Sequence, residues 1–174
     1  MSNESEIKEN RTLLLNEKQV IQRINRLAYQ IYEDNAGENE IILAGIMKSG
    51  YQLSEKIAQT LKNISPLKVL LSEVNIDKHS QVTTNISITL TKDDLQGKVI
   101  VLIDDVLNSG KTMMYALKPF LEADIKKIRT VVLIDRNHKR FPVAADFSGI
   151  TLSTTMQEHV SVEFTTKGIF AWLS

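Results

Sequence analysis

The chain has 174 residues, of which 43% are hydrophobic and 24% are charged, and its 21 basic residues are balanced by 21 acidic ones. The zero net charge gives no general attraction to nucleic acid or to an acidic membrane surface, and the absence of cysteine excludes disulfides, cysteine-ligated zinc and a cysteine nucleophile. A chain of this length fits one compact domain, which we expect at residues 11–174.

The first part of the chain predicts a polar tail followed by a capped helix. Residues 1–10 are polar and mixed in charge, unlike a signal peptide, and no apolar run approaches the roughly 20 residues of a membrane span. We therefore expect a flexible tail, a cytoplasmic location and no membrane partner. Asn16 and Gln19 have the spacing of a capping box, which predicts a helix that runs to about Asp34.

A strand, a turn and a helix come next, and this order suits a parallel α/β sheet. The apolar run Ile41–Ile46 predicts a buried strand, and a helix is predicted from about Tyr51 to Leu61. Strand character returns at Leu67–Ile76 and at Thr83–Thr91. The polar segment Asp77–Gln81 between these strands predicts the mobile loop of a β-hairpin.

The most informative segment is an apolar strand that ends in two acids and a small-residue turn. Residues 99–103 are aliphatic throughout, which is typical of a central strand buried on both faces. Asp104 and Asp105 therefore lie at the carboxyl end of this strand, where open α/β sheets bind ligands. The turn Leu107–Thr112 leads into a helix predicted over Met113–Ala123, and its backbone N–H groups suit a phosphate.

Two adjacent carboxylates would repel a bare phosphate, so these acids need another partner. A ribose with two vicinal hydroxyls, presented together with hydrated Mg²⁺, satisfies both acids while its 5-phosphate occupies the turn. Phosphoribosyl pyrophosphate (PRPP) is a ligand of this chemistry. Two other interpretations stay open: a Walker nucleotide loop, which requires glycine where the chain has Asp105, and an ordinary strand whose acids cap the next turn or helix.

Residues 99–112 resemble the signature of the type I phosphoribosyltransferases, an apolar strand followed by two acids, two apolar residues and a Ser/Thr-Gly-Lys/Arg-Thr turn. The resemblance implies an α/β fold with a central, mostly parallel twisted sheet flanked by helices and a small hood. It implies an enzyme in which Asp104 and Asp105 hold the ribose hydroxyls and, through water, the Mg²⁺ cofactor. The PRPP contacts implied in this segment are Asp104, Asp105, Val106, Leu107, Asn108, Ser109, Gly110, Lys111 and Thr112.

A second turn, at residues 46–51, also suits an anion. It places a lysine, a small hydroxyl and a glycine between a buried strand and a helix. A plain strand-to-helix turn with an exposed lysine would have the same pattern. In the phosphoribosyltransferases the equivalent loop holds the leaving pyrophosphate. The resemblance therefore implies further PRPP contacts at Met47, Lys48, Ser49 and Gly50, and a catalytic set of Lys48, Asp104 and Asp105.

The last part of the chain predicts one buried strand and several shorter elements. The buried strand is expected at Thr130–Ile134, followed by a loop over Asp135–Pro142. Two short strands are expected near Ala145–Ile150 and Val160–Phe164. Apolar residues near the C-terminus are expected to pack back on the core, or else to form part of a subunit interface, and they are Ile169, Phe170, Trp172 and Leu173.

Residues 132–149 resemble the bifunctional PyrR proteins, which have Asp-Arg-Gly-His-Arg after an apolar strand, then Leu-Pro and an Ala-Asp-Tyr-Val/Ile-Gly ending. The resemblance extends more loosely from about Leu15 to Phe164. It implies transfer of the phosphoribosyl group from PRPP to uracil, and a homodimer or higher homo-oligomer. The nucleobase contacts that it implies are Arg136, His138 and Leu152. A solvated basic turn is the alternative explanation for the first two.

Some PyrR proteins bind leader RNA of pyrimidine genes, which leaves a second function open. A regulator that keeps the pocket as a nucleotide sensor would use basic residues on the first helix and after the strand at Thr130–Ile134; the candidates are Arg23, Arg26, Lys139 and Arg140. A protein that binds PRPP without turnover is a third possibility.

Departures from the family patterns bear on all three functions. The turn Met47–Gly50 stands where PyrR proteins have Lys-Thr-Arg-Gly, and it looks more like the loop of the hypoxanthine-guanine enzymes. Those purine enzymes, however, carry an acid where this chain has Asn108 and a lysine where it has Asp135. The segment Asp77–Gln81 is also shorter than the basic hood of the PyrR proteins.

Overall fold

The computed structural model describes residues 11–77 and 85–174. The predicted tail and most of the predicted loop Asp77–Gln81 lie outside these residues. The described elements, in chain order, are β1 (Thr12–Leu15), α1 (Glu17–Asp34), β2 (Glu40–Ile46), α2 (Met47–Ile64), β3 (Lys68–Ile76), β4 (Ile86–Ile88), α3 (Lys92–Leu95), β5 (Val99–Leu107), α4 (Lys111–Ala116), α5 (Lys118–Leu121), β6 (Lys127–Asp135), β7 (Phe147–Thr151), β8 (Val160–Thr165) and β9 (Gly168–Leu173).

The main sheet has the strand order β4-β3-β2-β5-β6-β7, and all neighbours are parallel except β3 and β4. Strands β2, β5 and β6 are buried on both faces, which explains their nearly continuous aliphatic sequences. Leu43, Val101 and Leu133 pack on one face together with α1 and α2. Alternate strand residues, such as Ile100, pack on the other face against α3, α4 and α5. This architecture confirms the mostly parallel α/β sheet predicted from the sequence.

A second sheet of three antiparallel strands, in the order β1-β9-β8, forms a small hood. The sequence predicted neither β1 nor β9. Ile169 joins the main core and Leu173 packs against it, as predicted, whereas Phe170 and Trp172 stack with each other at a ring separation of 6.5 Å. Arg11 ties the sheet together, because its guanidinium lies 4.9 Å from the Trp172 ring and 2.6 Å from a carboxylate oxygen of Glu163.

The helices differ from prediction at two places. Helix α1 has the predicted capping box of Asn16 and Gln19 and ends at Asp34, but α2 begins at Met47 rather than near Tyr51. The helix predicted over Met113–Ala123 is instead two short helices, α4 and α5. Pro119 lies in the first turn of α5, where its missing N–H and fixed φ interrupt a continuous helix.

Two smaller findings complete the description of the fold. The strand predicted at Thr83–Thr91 is observed only as β4, and its first two predicted residues lie outside the described part of the chain. No helix within the described ranges is long and apolar enough to cross a membrane.

Asp34, at the end of α1, attaches this helix to the start of β6. Its carboxylate oxygens lie 3.0 and 3.1 Å from the Arg129 guanidinium and 2.9 Å from the Lys127 ammonium. The hydrogen bonds from Arg129, followed by the hydrogen bond and charge of Lys127, outweigh desolvation and lower the pKa of Asp34 from its usual 3.8. The ionised carboxylate therefore stabilises the folded state more than the unfolded chain.

Replacing Asp34 by Asn is expected to lower the free energy of unfolding by about 1 kcal/mol at pH 7. Because the folded pKa is lowered, the stabilisation is present above the unfolded value of 3.8 and is lost as the pH falls through the folded pKa. Urea unfolding of both proteins should show a smaller difference in the free energy of unfolding at pH 3 than at pH 7. The exposed neighbour Glu33, changed to Gln, is the matched control, and an equal effect there would contradict the role of Asp34.

Candidate active site

Two acids mark the carboxyl end of β5, beside the carboxyl end of β2. Asp104 is buried at 8% exposure and Asp105 is half-buried. The backbone N–H of Asp105 donates to Oδ1 of Asp104 at 2.9 Å, and the N–H of Val106 donates to Oδ1 of Asp105 at the same distance. These hydrogen bonds orient both carboxylates. Strand β5 continues to Leu107, so the acids lie within its last residues and not after them.

Backbone hydrogen bonds join the turn that follows β5 to the segment that follows β6. The carbonyl of Ser109 accepts the N–H groups of Arg140 at 2.8 Å and of Phe141 at 3.0 Å. Gly110 has φ of +85°, a conformation that favours glycine. The turn encloses a recess of about 40 Å³, lined by Asp104 and residues 106–113. The signature residues predicted to hold the 5-phosphate therefore share one concave surface with the first acid.

The second turn lies at the start of α2. Met47 has φ of +56°, and its Sδ accepts the N–H of Ile76 in β3 at 3.3 Å. A left-handed non-glycine residue is uncommon, and such residues cluster at functional sites. Ser49 faces the same cavity as the two acids, but Lys48 is exposed and is not among the residues that line it.

Gly50 allows α2 to pack directly on β5. A Cβ at this position would lie 2.7 Å from the carbonyl oxygen of Ile103 and 3.5 Å from Cα of Asp104. Gly45 permits the matching approach to β2, since a Cβ there would lie 2.4 Å from Cα of Tyr51. Backbone contacts this close exclude any side chain. They bring the second turn to the edge of the sheet that carries the acids.

The two turns, the acids and the hood enclose one cavity of about 340 Å³. Its hood side is the start of β8. The residues that line it are Ile46, Met47, Ser49, Asp104, Asp105, Val106, Asn108, Thr112, His159, Val160, Ser161 and Val162. Residues 159–162 were missed by the sequence analysis, because a short strand near the C-terminus carries no local sign of which cavity it will cover.

The predicted nucleobase contacts lie outside this cavity. Leu152 packs against the main core, whereas Arg136 and His138 line a neighbouring cavity of about 430 Å³ together with Asn108, Ser109, Asn137, Lys139, Arg140 and Met156. Nε2 of His138 contacts the carbonyl of Thr154. Their contact with a nucleobase stays a prediction.

The charge around the 340 Å³ cavity favours a ligand that brings its own cation. Its lining, as far as the structure describes it, includes two carboxylates and neither lysine nor arginine. Within the same described ranges no group of three or more His, Asp or Glu side chains could hold a metal. Mg²⁺ commonly binds through one or two carboxylates, water and substrate phosphates. Asp104 and Asp105 therefore fit a Mg²⁺ ion that arrives with a phosphate-bearing substrate.

Comparison with protein families decides the classification. Residues 10–164 match the model of the phosphoribosyl transferase domain. The chain belongs to this family. It is a phosphoribosyltransferase, as predicted from residues 99–112.

Curated relatives agree with this phosphoribosyltransferase assignment. The chain is 33% identical over 159 residues to "Bifunctional protein PyrR" of Clostridium kluyveri, which covers 88% of this chain and 90% of the relative. It is 34% identical over 163 residues to the protein of the same name in Clostridium acetobutylicum, with 90% of each chain covered. The resemblance to PyrR proteins predicted from residues 132–149 is thereby confirmed.

Solved structures support the fold of this phosphoribosyltransferase. A hypoxanthine-guanine phosphoribosyltransferase from Bacillus anthracis aligns with a TM-score of 0.71 at 19% identity, covering 82% of this chain and 83% of the other. The hypoxanthine phosphoribosyltransferase of Trypanosoma cruzi aligns with a TM-score of 0.71 at 18% identity, covering 81% of each chain. At these identities the likeness concerns the fold and not the choice of base.

Replacing Gly50 by Ala is expected to destabilise the protein by about 1–3 kcal/mol, because the new methyl meets the backbone carbonyl of Ile103. The displaced turn should also weaken PRPP binding, by at least about tenfold. Thermal unfolding and titration calorimetry with PRPP and Mg²⁺ measure the two effects. Gly37→Ala is the matched control, since a Cβ there meets nothing within 4 Å. Similar results for both variants would contradict the close packing of α2 on β5.

Proposed function

We propose that this phosphoribosyltransferase transfers the 5-phosphoribosyl group from PRPP to uracil, giving UMP and pyrophosphate. The observation that carries the proposal is the single cavity that joins the paired acids, both turns and the hood. The choice of uracil is supported by the similarity to PyrR proteins. The same similarity supports a homodimer or higher homo-oligomer and a cytoplasmic location.

The paired acids are proposed to hold the ribose. Their carboxylates accept hydrogen bonds from the two vicinal hydroxyls, while the turn at residues 108–112 fixes the 5-phosphate. During the reaction a base nitrogen bonds to C1 of the ribose as the bond from C1 to the pyrophosphate oxygen breaks, and the proton that this nitrogen carried passes to water or to the released pyrophosphate. Positive charge develops on the sugar, and Asp104 and Asp105 are positioned to stabilise it. No residue of the chain forms a covalent intermediate.

The leaving pyrophosphate is proposed to lie against Met47 and Ser49 at the start of α2. Bound Mg²⁺, held by Asp104 and Asp105 through water, would neutralise part of the diphosphate charge. Lys48 is exposed and lies in sequence between Met47 and Ser49, which line the cavity, and its flexible side chain is proposed to contact the pyrophosphate once the substrate is bound. The backbone of Gly50 packs against Ile103 in β5 and so keeps this turn close to the two acids.

The nucleobase is proposed to bind under the start of β8. His159 and Ser161 line the cavity from the hood. A planar base placed there would approach C1 of a ribose held by the acids. This assignment adds His159 and Ser161 to the predicted contacts Arg136, His138 and Leu152, none of which lines this cavity.

Pyrophosphate release tests the proposed reaction. PRPP and Mg²⁺ are supplied with uracil, hypoxanthine, guanine, adenine or orotate in separate assays. We expect release with uracil, a loss of about 100-fold or more in the double variant Asp104→Asn, Asp105→Asn, and a raised KM for uracil in His159→Ala. The control is Asp93→Asn, which removes an exposed acid in α3. Release with a different base would overturn the choice of uracil, and full activity of the double variant would overturn the mechanism.

RNA binding is a second candidate function, supported by the 430 Å³ cavity, which is lined by His138, Lys139 and Arg140. Of the predicted RNA contacts, Arg26 donates to the carbonyls of Ser148 and Gly149 in β7, and Lys139 pairs with Asp135 at 3.0 Å. The Arg140 side chain is exposed. Arg23 is half-buried, and its Nε is shielded from solvent. Arg140 is therefore the best placed of the predicted contacts to meet an RNA phosphate.

Charge reversal at Arg140 tests the RNA candidate. Arg140→Glu is expected to lower affinity for leader RNA of pyrimidine genes by about tenfold and to flatten its salt dependence, because one phosphate contact is lost. Lys118→Glu, an exposed basic residue on α5, is the matched control. Binding that is absent in the wild type, or equally reduced by both variants, would remove this candidate.

A further inference from the structure

Arg136 is a buried, charged residue that contacts the end of β5, the turn that follows it and the segment before β8. It follows β6 directly, and its backbone N–H donates to the carbonyl of Leu107 at the end of β5 at 3.0 Å. Its exposure is 8%. A buried guanidinium is costly unless its N–H groups find acceptors, so the contacts of this side chain show what it holds together.

All three nitrogens of the guanidinium donate within the protein. Nη1 donates to Oδ1 of Asn108 at 2.9 Å, and Nε donates to Oγ1 of Thr154 at 2.9 Å. Nη2 donates to the backbone carbonyls of Glu158 at 2.6 Å and of Thr155 at 3.2 Å. The planar, rigid group thus connects the turn after β5 with the segment that leads into β8.

The contact with Asn108 fixes the orientation of that side chain. A guanidinium has donors only, so the amide oxygen must face Arg136 and the amide nitrogen must point elsewhere. Asn108 lines both the 340 Å³ cavity and the recess of the phosphate turn. Arg136 therefore determines which end of this amide is offered to a ligand, without lining the 340 Å³ cavity itself.

The contacts with residues 154–158 fix the approach to the hood. Glu158 closes this segment, because its Oε2 accepts the N–H of Thr155 at 2.6 Å and the hydroxyl of Thr155 at 2.9 Å. The hydrogen bond from the backbone N–H of Thr155 is the largest cause that lowers the pKa of Glu158 below its usual value, and the hydrogen bond from the Thr155 hydroxyl is the next. Residues 159–162, which line the cavity, follow at once. The position of His159 thus depends on a segment that Arg136 holds in place.

We propose that Arg136 is a positioning residue that couples the phosphate side of the site to the nucleobase side, and not a residue that contacts the base. Through Asn108 it orders the turn that holds the 5-phosphate. Through Thr154, Thr155 and Glu158 it orders the start of β8. This role rests on the proposed function, and it replaces the base contact that the sequence resemblance implied for Arg136.

PRPP binding in the absence of any base distinguishes the two roles. Arg136→Met retains an unbranched apolar stem, lacks the guanidinium end and removes every donor. A positioning residue predicts that this variant binds PRPP and Mg²⁺ about tenfold more weakly in calorimetry. It also predicts that the loss is not additive with that of Asn108→Ala, because the two residues act through one contact. A residue that contacts only the base predicts unchanged PRPP binding and a raised KM for uracil alone.

Further variants keep the test decisive if Arg136→Met fails to fold. Arg136→Lys retains the charge but loses the planar fork, and Thr154→Val removes one acceptor with little change in volume. Both are expected to weaken PRPP binding and to speed amide hydrogen exchange at residues 154–158. Lys118→Met, at an exposed basic residue of α5, should change neither.

PRPP binding by the wild type and by the variants tests the proposed function and the coupling role of Arg136 separately. Wild-type protein that does not bind PRPP overturns the proposed function. If the wild type binds PRPP and the Arg136 and Thr154 variants bind it equally well, only the coupling role of Arg136 is overturned.

Discussion

The site depends on one backbone contact, the packing of the first turn of α2 on the carboxyl end of β5. Gly50 faces the carbonyl of Ile103 with no room for a side chain, and Gly45 permits the same closeness toward β2. Parallel pairing places the carboxyl ends of β2 and β5 at the same edge of the sheet. As a result, two turns separated by a complete strand-helix unit face the same pair of carboxylates. A bulkier residue at either glycine would move the turn at residues 46–50 away from the turn at residues 107–112.

Charge is distributed unevenly around this edge. Asp104 and Asp105 line the 340 Å³ cavity, and no lysine is among its described lining residues, although Lys111 lines the adjoining recess of the turn after β5. Lys48 is exposed, Lys111 lies 6.0 Å from the ring of Tyr115, and Lys139 pairs with Asp135. Such a site disfavours a free phosphate and favours a sugar phosphate accompanied by a divalent cation. The same electrostatics are compatible with the 5-phosphate site proposed for the turn next to the two acids.

The hood joins strands from both ends of the described chain and lines the 340 Å³ cavity with residues 159–162. Strands β1 and β9 lie far apart in sequence, yet they pair with each other and with β8. Arg11 fastens them from one side through Trp172 and Glu163. From the other side, the hydrogen bonds of Arg136 hold the segment that enters β8. The part of the cavity that the hood forms is thus built by long-range contacts, whereas the part that the two turns form is built by local segments of the chain.

The sequence by itself determined the α/β class, the capped helix α1, the buried strands β2, β5 and β6, and the acids with their adjoining turn. These features follow from local patterns, namely aliphatic runs, a capping box and a short motif, which need no knowledge of the rest of the chain. The tertiary structure alone decided the hood sheet, the place of residues 159–162 over the cavity, the outward position of Lys48 and the buried hydrogen bonds of Arg136. These depend on pairing between distant segments, and a basic loop residue has the same sequence pattern whether its side chain meets solvent, a ligand or buried carbonyls.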